Sequence, residues 1–140
     1  MEVVTKSLKE TQKFAVEFSK KLKASDVIAL VGELGAGKTS FVQGLAEGIG
    51  VKKDYYVNSP TFTILNIYEG GRVPIFHFDW YRIENMTEAL DLGSEEYFDG
   101  RGVSVIEWAE KFPSLLPKRT IWVRFEVIGE SERKIRLENI

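Results

Sequence analysis

The chain has 140 residues, 44% of them apolar, and a formal net charge of −2. That length suits a single domain, residues 1–140, with its own core; no run long and apolar enough to span a membrane is present, and a mildly acidic balance argues against a chain that grips nucleic acid alone over a broad basic face. With no cysteine there is no disulfide framework, thiolate metal site or thiolate nucleophile, and without an apolar leader region the expectation is a soluble protein of the cytoplasm.

In chain order, Val3-Val4 reads as a short strand. Ser7-Leu8-Lys9-Glu10 has the spacing of a capping box, so a helix is predicted from about Ser7, with Leu8, Ala15, Phe18 and Leu22 on its inner face. Lys6, Lys9, Lys13, Lys20, Lys21 and Lys23 cluster here. A solvated helix face accounts for them, and a contact patch for an acidic partner or RNA is the alternative. Asp26–Val31 is an apolar run of the kind that forms a strand buried on both faces.

Residues 32–39 then read Gly32-Glu33-Leu34-Gly35-Ala36-Gly37-Lys38-Thr39, the pattern G-x-x-x-x-G-K-S/T of a phosphate-binding loop. Phe41, Val42, Leu45, Ala46 and Ile49 recur at helical spacing after it, and Gly48 and Gly50 suit the end of that helix. Residues 52–58 are a polar and aromatic loop. Thr61–Tyr68 and Val73–Phe78 are rich in strand formers and flank Gly70-Gly71, which predicts a hairpin with the glycine pair at positive φ. A short helix is expected over Asn85–Leu92, stopped by Gly93. Gly102–Trp108 is an apolar strand with an acid near its end, and Thr120–Ile128 with Arg133–Leu137 form a second hairpin around Gly129. The predicted fold is a single α/β domain of the P-loop NTPase type, with a mixed, mostly parallel central sheet flanked by helices and β-hairpins.

The order of strand, glycine loop and helix is the context that the phosphate loop requires. Its glycines let backbone N–H groups close around a polyphosphate without Cβ clashes. Lys38 supplies a cation near the β- and γ-phosphates, and Thr39 offers a hydroxyl to Mg²⁺. The helix that follows aims the positive end of its dipole at the same anion. Hydrolysis also needs an acid at the metal and a positioned water. Such acids stand at the carboxyl ends of strands, and two are found there: Asp79 after Ile75-Phe76-His77-Phe78, and Glu107 after Val103-Ser104-Val105-Ile106. Local pattern leaves open which binds metal and which handles water.

Ser59-Pro60-Thr61-Phe62 is held extended by its proline. Thr61 has two open roles, a switch-like hydroxyl for the γ-phosphate or Mg²⁺, and a purely local turn contact. His77, the one histidine, fits a hydrogen-bonded structural role better than a zinc site. Arg82 could pair with an acid or meet phosphate, and Trp108 could anchor the core or stack on a base.

Taken together and in order, G-E-L-G-A-G-K-T, S-P-T-F, H-F-D-W-Y-R and V-I-E-W resemble the TsaE (YjeE-type) family of bacterial ATPases in the tRNA threonylcarbamoyladenosine pathway. The resemblance covers nearly the whole chain. It implies that Lys38 and its loop neighbours Glu33, Leu34, Gly35, Ala36, Gly37 and Ser40 hold the phosphates of ATP. It places Thr39 and Glu107 at Mg²⁺ and gives Asp79 a Walker-B-like role at metal or water. Thr61 becomes the switch-like hydroxyl. Thr5 and Ser7 are implied near the adenine, and Arg133 as a basic residue approaching nucleotide. Trp80 departs from the family pattern, where aliphatic residues are common, and leaves Asp79, Tyr81 and Arg82 in place. The family implies TsaD and TsaB partners, with tRNA met through that complex, which modifies adenosine-37 of tRNAs reading ANN codons.

Three other classes compete. A small-molecule kinase needs an acceptor pocket and usually an arginine-rich lid, and no lid-sized insertion is apparent. A GTPase would favour N-K-x-D, which is absent. A non-catalytic nucleotide-binding regulatory module leaves Asp79, Glu107 and Thr61 unexplained.

Overall fold

A computed structural model describes residues 1–52, 57 and 64–140. Its frame is one mixed sheet in the order β1-β7-β6-β2-β5-β4-β3. The strands are β1 (Glu2–Thr5), β2 (Val27–Val31), β3 (Leu65–Tyr68), β4 (Ile75–Asp79), β5 (Val103–Glu107), β6 (Ile121–Val127) and β7 (Arg133–Glu138). The pairs β4–β5, β5–β2 and β2–β6 are parallel and form the centre. The antiparallel pairs β3–β4, β6–β7 and β1–β7 flank it.

β2 shows why the apolar run lacks alternation. Ile28 and Leu30 face α1 (Leu8–Ser19) and α2 (Lys38–Ile49) and join Ala15, Phe41 and Leu45 in one core. Val27 and Ala29 point the other way, into a second core with Trp80, Phe98 and Ala109. Successive side chains of a strand face opposite sides, so a strand covered on both must be apolar throughout. The second face is closed by α3 (Met86–Asp91), α4 (Ser94–Phe98) and two short 3-10 turns after β5.

Ser7 caps α1 by accepting a bond from the Glu10 backbone N–H at 3.1 Å. Glu10 reaches back to the Lys6 N–H rather than to that of Ser7. Leu8 departs from expectation: it is 45% exposed, and Thr11 takes the inward place beside Ala15 and Phe18. Gly50, at φ +91°, ends α2 as predicted. Gly48 lies inside the helix instead, and with Gly44 it lets α1 and α2 cross closely. A Cβ on Gly44 would lie 2.4 Å from the Gln12 carbonyl oxygen, and one on Gly48 2.8 Å from that of Val16.

The β3–β4 hairpin forms in the expected place, but only Gly70 takes a positive φ. Gly71 is required by proximity, since a Cβ there would meet the Ile49 carbonyl oxygen at 2.6 Å. The short helix α4 was not legible in the sequence, because five residues are too few to display a period.

The helix crossing yields a test. Gly44→Ala adds helix propensity worth ~1 kcal/mol but forces α1 outward, and overpacking of this kind costs about 1–3 kcal/mol. A net loss of stability in urea unfolding is expected. A stabilised variant would show that α1 and α2 do not meet as described.

Candidate functional site

The parallel pairings bring the carboxyl ends of β2, β4 and β5 to one edge of the sheet. Residues 32–37 leave β2 there and turn into α2. Gly35 and Gly37 adopt φ values of +81° and +103°, and Gly37 caps α2 without a side chain. The first N–H groups of the helix are therefore not engaged by a side-chain cap, as an anion site requires. Lys38, Thr39 and Leu34 line a cavity of about 480 Å³, together with Tyr81, Glu107 and Trp108.

Lys38 is 5% exposed. Its Nζ donates to the Gly32 carbonyl at 2.7 Å and lies 4.2 Å from the centre of the Trp108 ring. Burial lowers the pKa of this ammonium, and the nearby carboxylates of Glu107, Glu110 and Asp79 act in the opposite sense. The site thus holds a cation under desolvation, with few partners of its own. Trp108 has φ +60°, a conformation that costs a non-glycine residue about 1–3 kcal/mol. That backbone carries the indole to Lys38 and to Tyr81, whose ring centre is 5.1 Å away.

The two strand-end acids are register partners on β4 and β5. Glu107 borders the cavity, while Asp79 is fully buried and its Oδ1 accepts the Tyr81 backbone N–H at 2.8 Å. The Thr39 hydroxyl and the Glu107 carboxylate are hard oxygen donors on the wall of one cavity, a set that fits Mg²⁺. Among the described residues no cluster of three or more His, Asp or Glu could hold a metal alone. A cation here would draw its remaining ligands from phosphate and water, the usual habit of Mg²⁺.

Three of the other expected nucleotide contacts stand back from the cavity wall. Arg133 is 6% exposed and lies behind the loop. Its Nε donates to the Ala36 carbonyl and its Nη2 to that of Gly35, both at 3.1 Å. Its Nη1 donates to the Glu132 carbonyl at 2.9 Å. In a trans peptide the C=O and the next N–H point in opposite directions. Holding the Ala36 carbonyl backwards therefore aims the Gly37 N–H into the loop. Thr5 is buried against the Thr11 hydroxyl at 2.8 Å, and Ser7 is spent on its helix cap. Glu33 is exposed, Ala36 is buried and Ser40 lines the cavity. Leu8, which spacing assigned to the inner face of α1, and Tyr81 also line it, and neither was expected there. Thr61 and the rest of Ser59-Pro60-Thr61-Phe62 lie outside the described residues.

Residues 5–135 match the family model described as threonylcarbamoyl adenosine biosynthesis protein TsaE. A Bacillus subtilis protein named tRNA threonylcarbamoyladenosine biosynthesis protein TsaE is 46% identical over 81% of this chain and 69% of its own length. One of the same name from Treponema pallidum is 38% identical over 96% of this chain and 98% of its own. The crystal structure of Bacillus subtilis YdiB superposes with a TM-score of 0.82 at 36% identity, covering 96% of this chain and 82% of that one.

Two substitutions probe the loop. Lys38→Ala should weaken ATP binding about 10- to 100-fold, since hydrogen bonds to charged groups contribute ~1.5–3 kcal/mol; titration with a fluorescent ATP analogue reads this, and undiminished affinity would refute the loop's assignment. Arg133→Met should lower the unfolding free energy of the nucleotide-free chain by about 2 kcal/mol and weaken nucleotide binding with it. Weakened binding at unchanged stability would mark Arg133 as a direct nucleotide contact instead.

Proposed function

Since this chain belongs to the TsaE family of tRNA threonylcarbamoyladenosine biosynthesis proteins, we propose that it is a Mg²⁺-dependent ATP hydrolase serving that modification in the cytoplasm. The reading rests above all on one observation: the phosphate loop, Thr39 and Glu107 face the same cavity. Loop N–H groups and Lys38 bind the β- and γ-phosphates. Thr39 and Glu107 would hold Mg²⁺, which would supply positive charge against the phosphate oxygens. Glu107 would be the carboxylate ligand, from its place on the cavity wall. Asp79, behind it, holds the Tyr81 backbone and adds negative charge to that end of the site. Trp108 and Tyr81 offer aromatic surface beside the phosphates and help exclude water.

Among the described residues no arginine lines the cavity. An arginine at the transferring phosphoryl group accelerates hydrolysis about 10³–10⁵-fold. The chain alone is therefore a slow hydrolase, and TsaB- and TsaD-like partners complete the site. It does not carry out the transfer to adenosine-37. It meets tRNA through the complex, and its ATP turnover resets that complex between cycles.

Turnover measured with and without the two partners tests this: slow release of phosphate by the chain alone and faster release in the complex are expected, and full-speed turnover alone would overturn the proposal. Glu107→Ala should abolish the Mg²⁺-dependent part of ATP binding, whereas Asp79→Ala should lower turnover with binding retained. Normal turnover by both variants would disprove the site.

A further inference from the structure

His77 is fully buried in β4, between Phe76 and Phe78, where any apolar residue would satisfy the core. A buried imidazole is costly unless both ring nitrogens are paired, and here both are. Nε2 lies 2.7 Å from Glu107 Oε2, and Nδ1 lies 3.0 Å from the Tyr68 hydroxyl. Tyr68, His77 and Glu107 come from three adjacent strands, β3, β4 and β5, and share the face that carries α1 and α2. Their register is diagonal. Tyr68 is opposite Ile75, His77 opposite Val105, and Glu107 opposite Asp79. Each step moves two residues toward the carboxyl edge, so the row begins on the outermost strand and ends at the cavity.

Complementarity assigns the protons. A carboxylate only accepts, so Nε2 carries the hydrogen that His77 gives to Glu107. In the neutral ring Nδ1 then has a lone pair and accepts from the Tyr68 hydroxyl. The two bonds then run in one direction, from Tyr68 through His77 to Glu107. Glu107 Oε2 takes the imidazole bond, and the carboxylate that it holds borders the cavity.

We propose that His77 is a positioning residue for Glu107: it fixes the carboxylate's orientation toward the cation, and Tyr68 fixes the tautomer that lets it do so. The proposal rests on the reading of Glu107 as a cation-holding residue. Partners behind a metal ligand commonly alter metal affinity or activity about 10–100-fold when removed, and the same range is expected here.

The test follows binding of a non-hydrolysable ATP analogue over a Mg²⁺ titration and in EDTA, together with thermal unfolding of the metal-free, nucleotide-free chain. His77→Leu should raise the half-saturating Mg²⁺ concentration about tenfold or more while affinity in EDTA is unchanged. His77→Gln, which returns a donor near the Nε2 position, should recover most of the loss. Tyr68→Phe should fall between wild type and His77→Leu. If His77→Leu does not fold, the other two variants carry the test. A lowered melting temperature with unchanged Mg²⁺ dependence in all of them would reduce His77 to core packing and overturn the proposal. Glu107→Gln separates the two readings: loss of Mg²⁺ dependence there with none in the His77 variants sinks this proposal alone, and its retention in Glu107→Gln sinks the metal-site reading beneath it.

Discussion

Parallel pairing of β5 on both of its edges, with β2 and with β4, is the constraint from which the site follows. Parallel neighbours present their carboxyl ends on the same side. The loop that leaves β2, the acid that ends β4 and the acid that ends β5 therefore converge without any long-range design of their own. Were β5 reversed, Glu107 would stand at the opposite edge of the sheet from Lys38. The same pairing demands crossovers, crossovers place helices on the faces, and covered faces demand an uninterrupted apolar strand. Stability and site geometry are thus two outcomes of one arrangement, and residues such as Ile28 and Leu30 serve both.

Lys38 is where the arrangement is least comfortable. Its ammonium is removed from water and leans on a carbonyl, an indole face and acids that it does not pair with directly. In the proposed function that discomfort is useful, because an arriving polyphosphate brings the anionic partner that the folded chain withholds. A weakly satisfied cation gains more from its ligand than one already locked in a salt bridge.

Much of this was legible in advance, and the reasons differ by feature. The phosphate loop was readable because its glycines, lysine and threonine are each dictated by local backbone geometry. The central strands were readable from continuous apolar runs, and both hairpins from glycine between strand formers. What failed to show depended on contacts across the fold. Gly48 and Leu8 were assigned by local pattern, whereas the crossing of α1 over α2 decides the first and the cavity wall the second. His77 was expected to be structural and hydrogen-bonded. Its bond to Glu107 is invisible in sequence because β4 and β5 are joined only by register. Arg133 and Thr5 were placed near nucleotide by resemblance; in the fold Arg133 holds the loop carbonyls and Thr5 meets the Thr11 hydroxyl, contacts that no local pattern announces.

The hold of Arg133 on the Gly35 and Ala36 carbonyls has a consequence for synthesis. The arginine lies 97 positions after Ala36, on a strand that must itself pair with β6 and β1 before it is fixed. A nascent chain emerges amino end first, so the helix and glycines of the loop leave the ribosome long before their brace. Until the final hairpin closes, the loop lacks the contact that holds its Gly35 and Ala36 carbonyls. The brace on the loop is thus completed last, together with the pairing of β7 to β6 and β1.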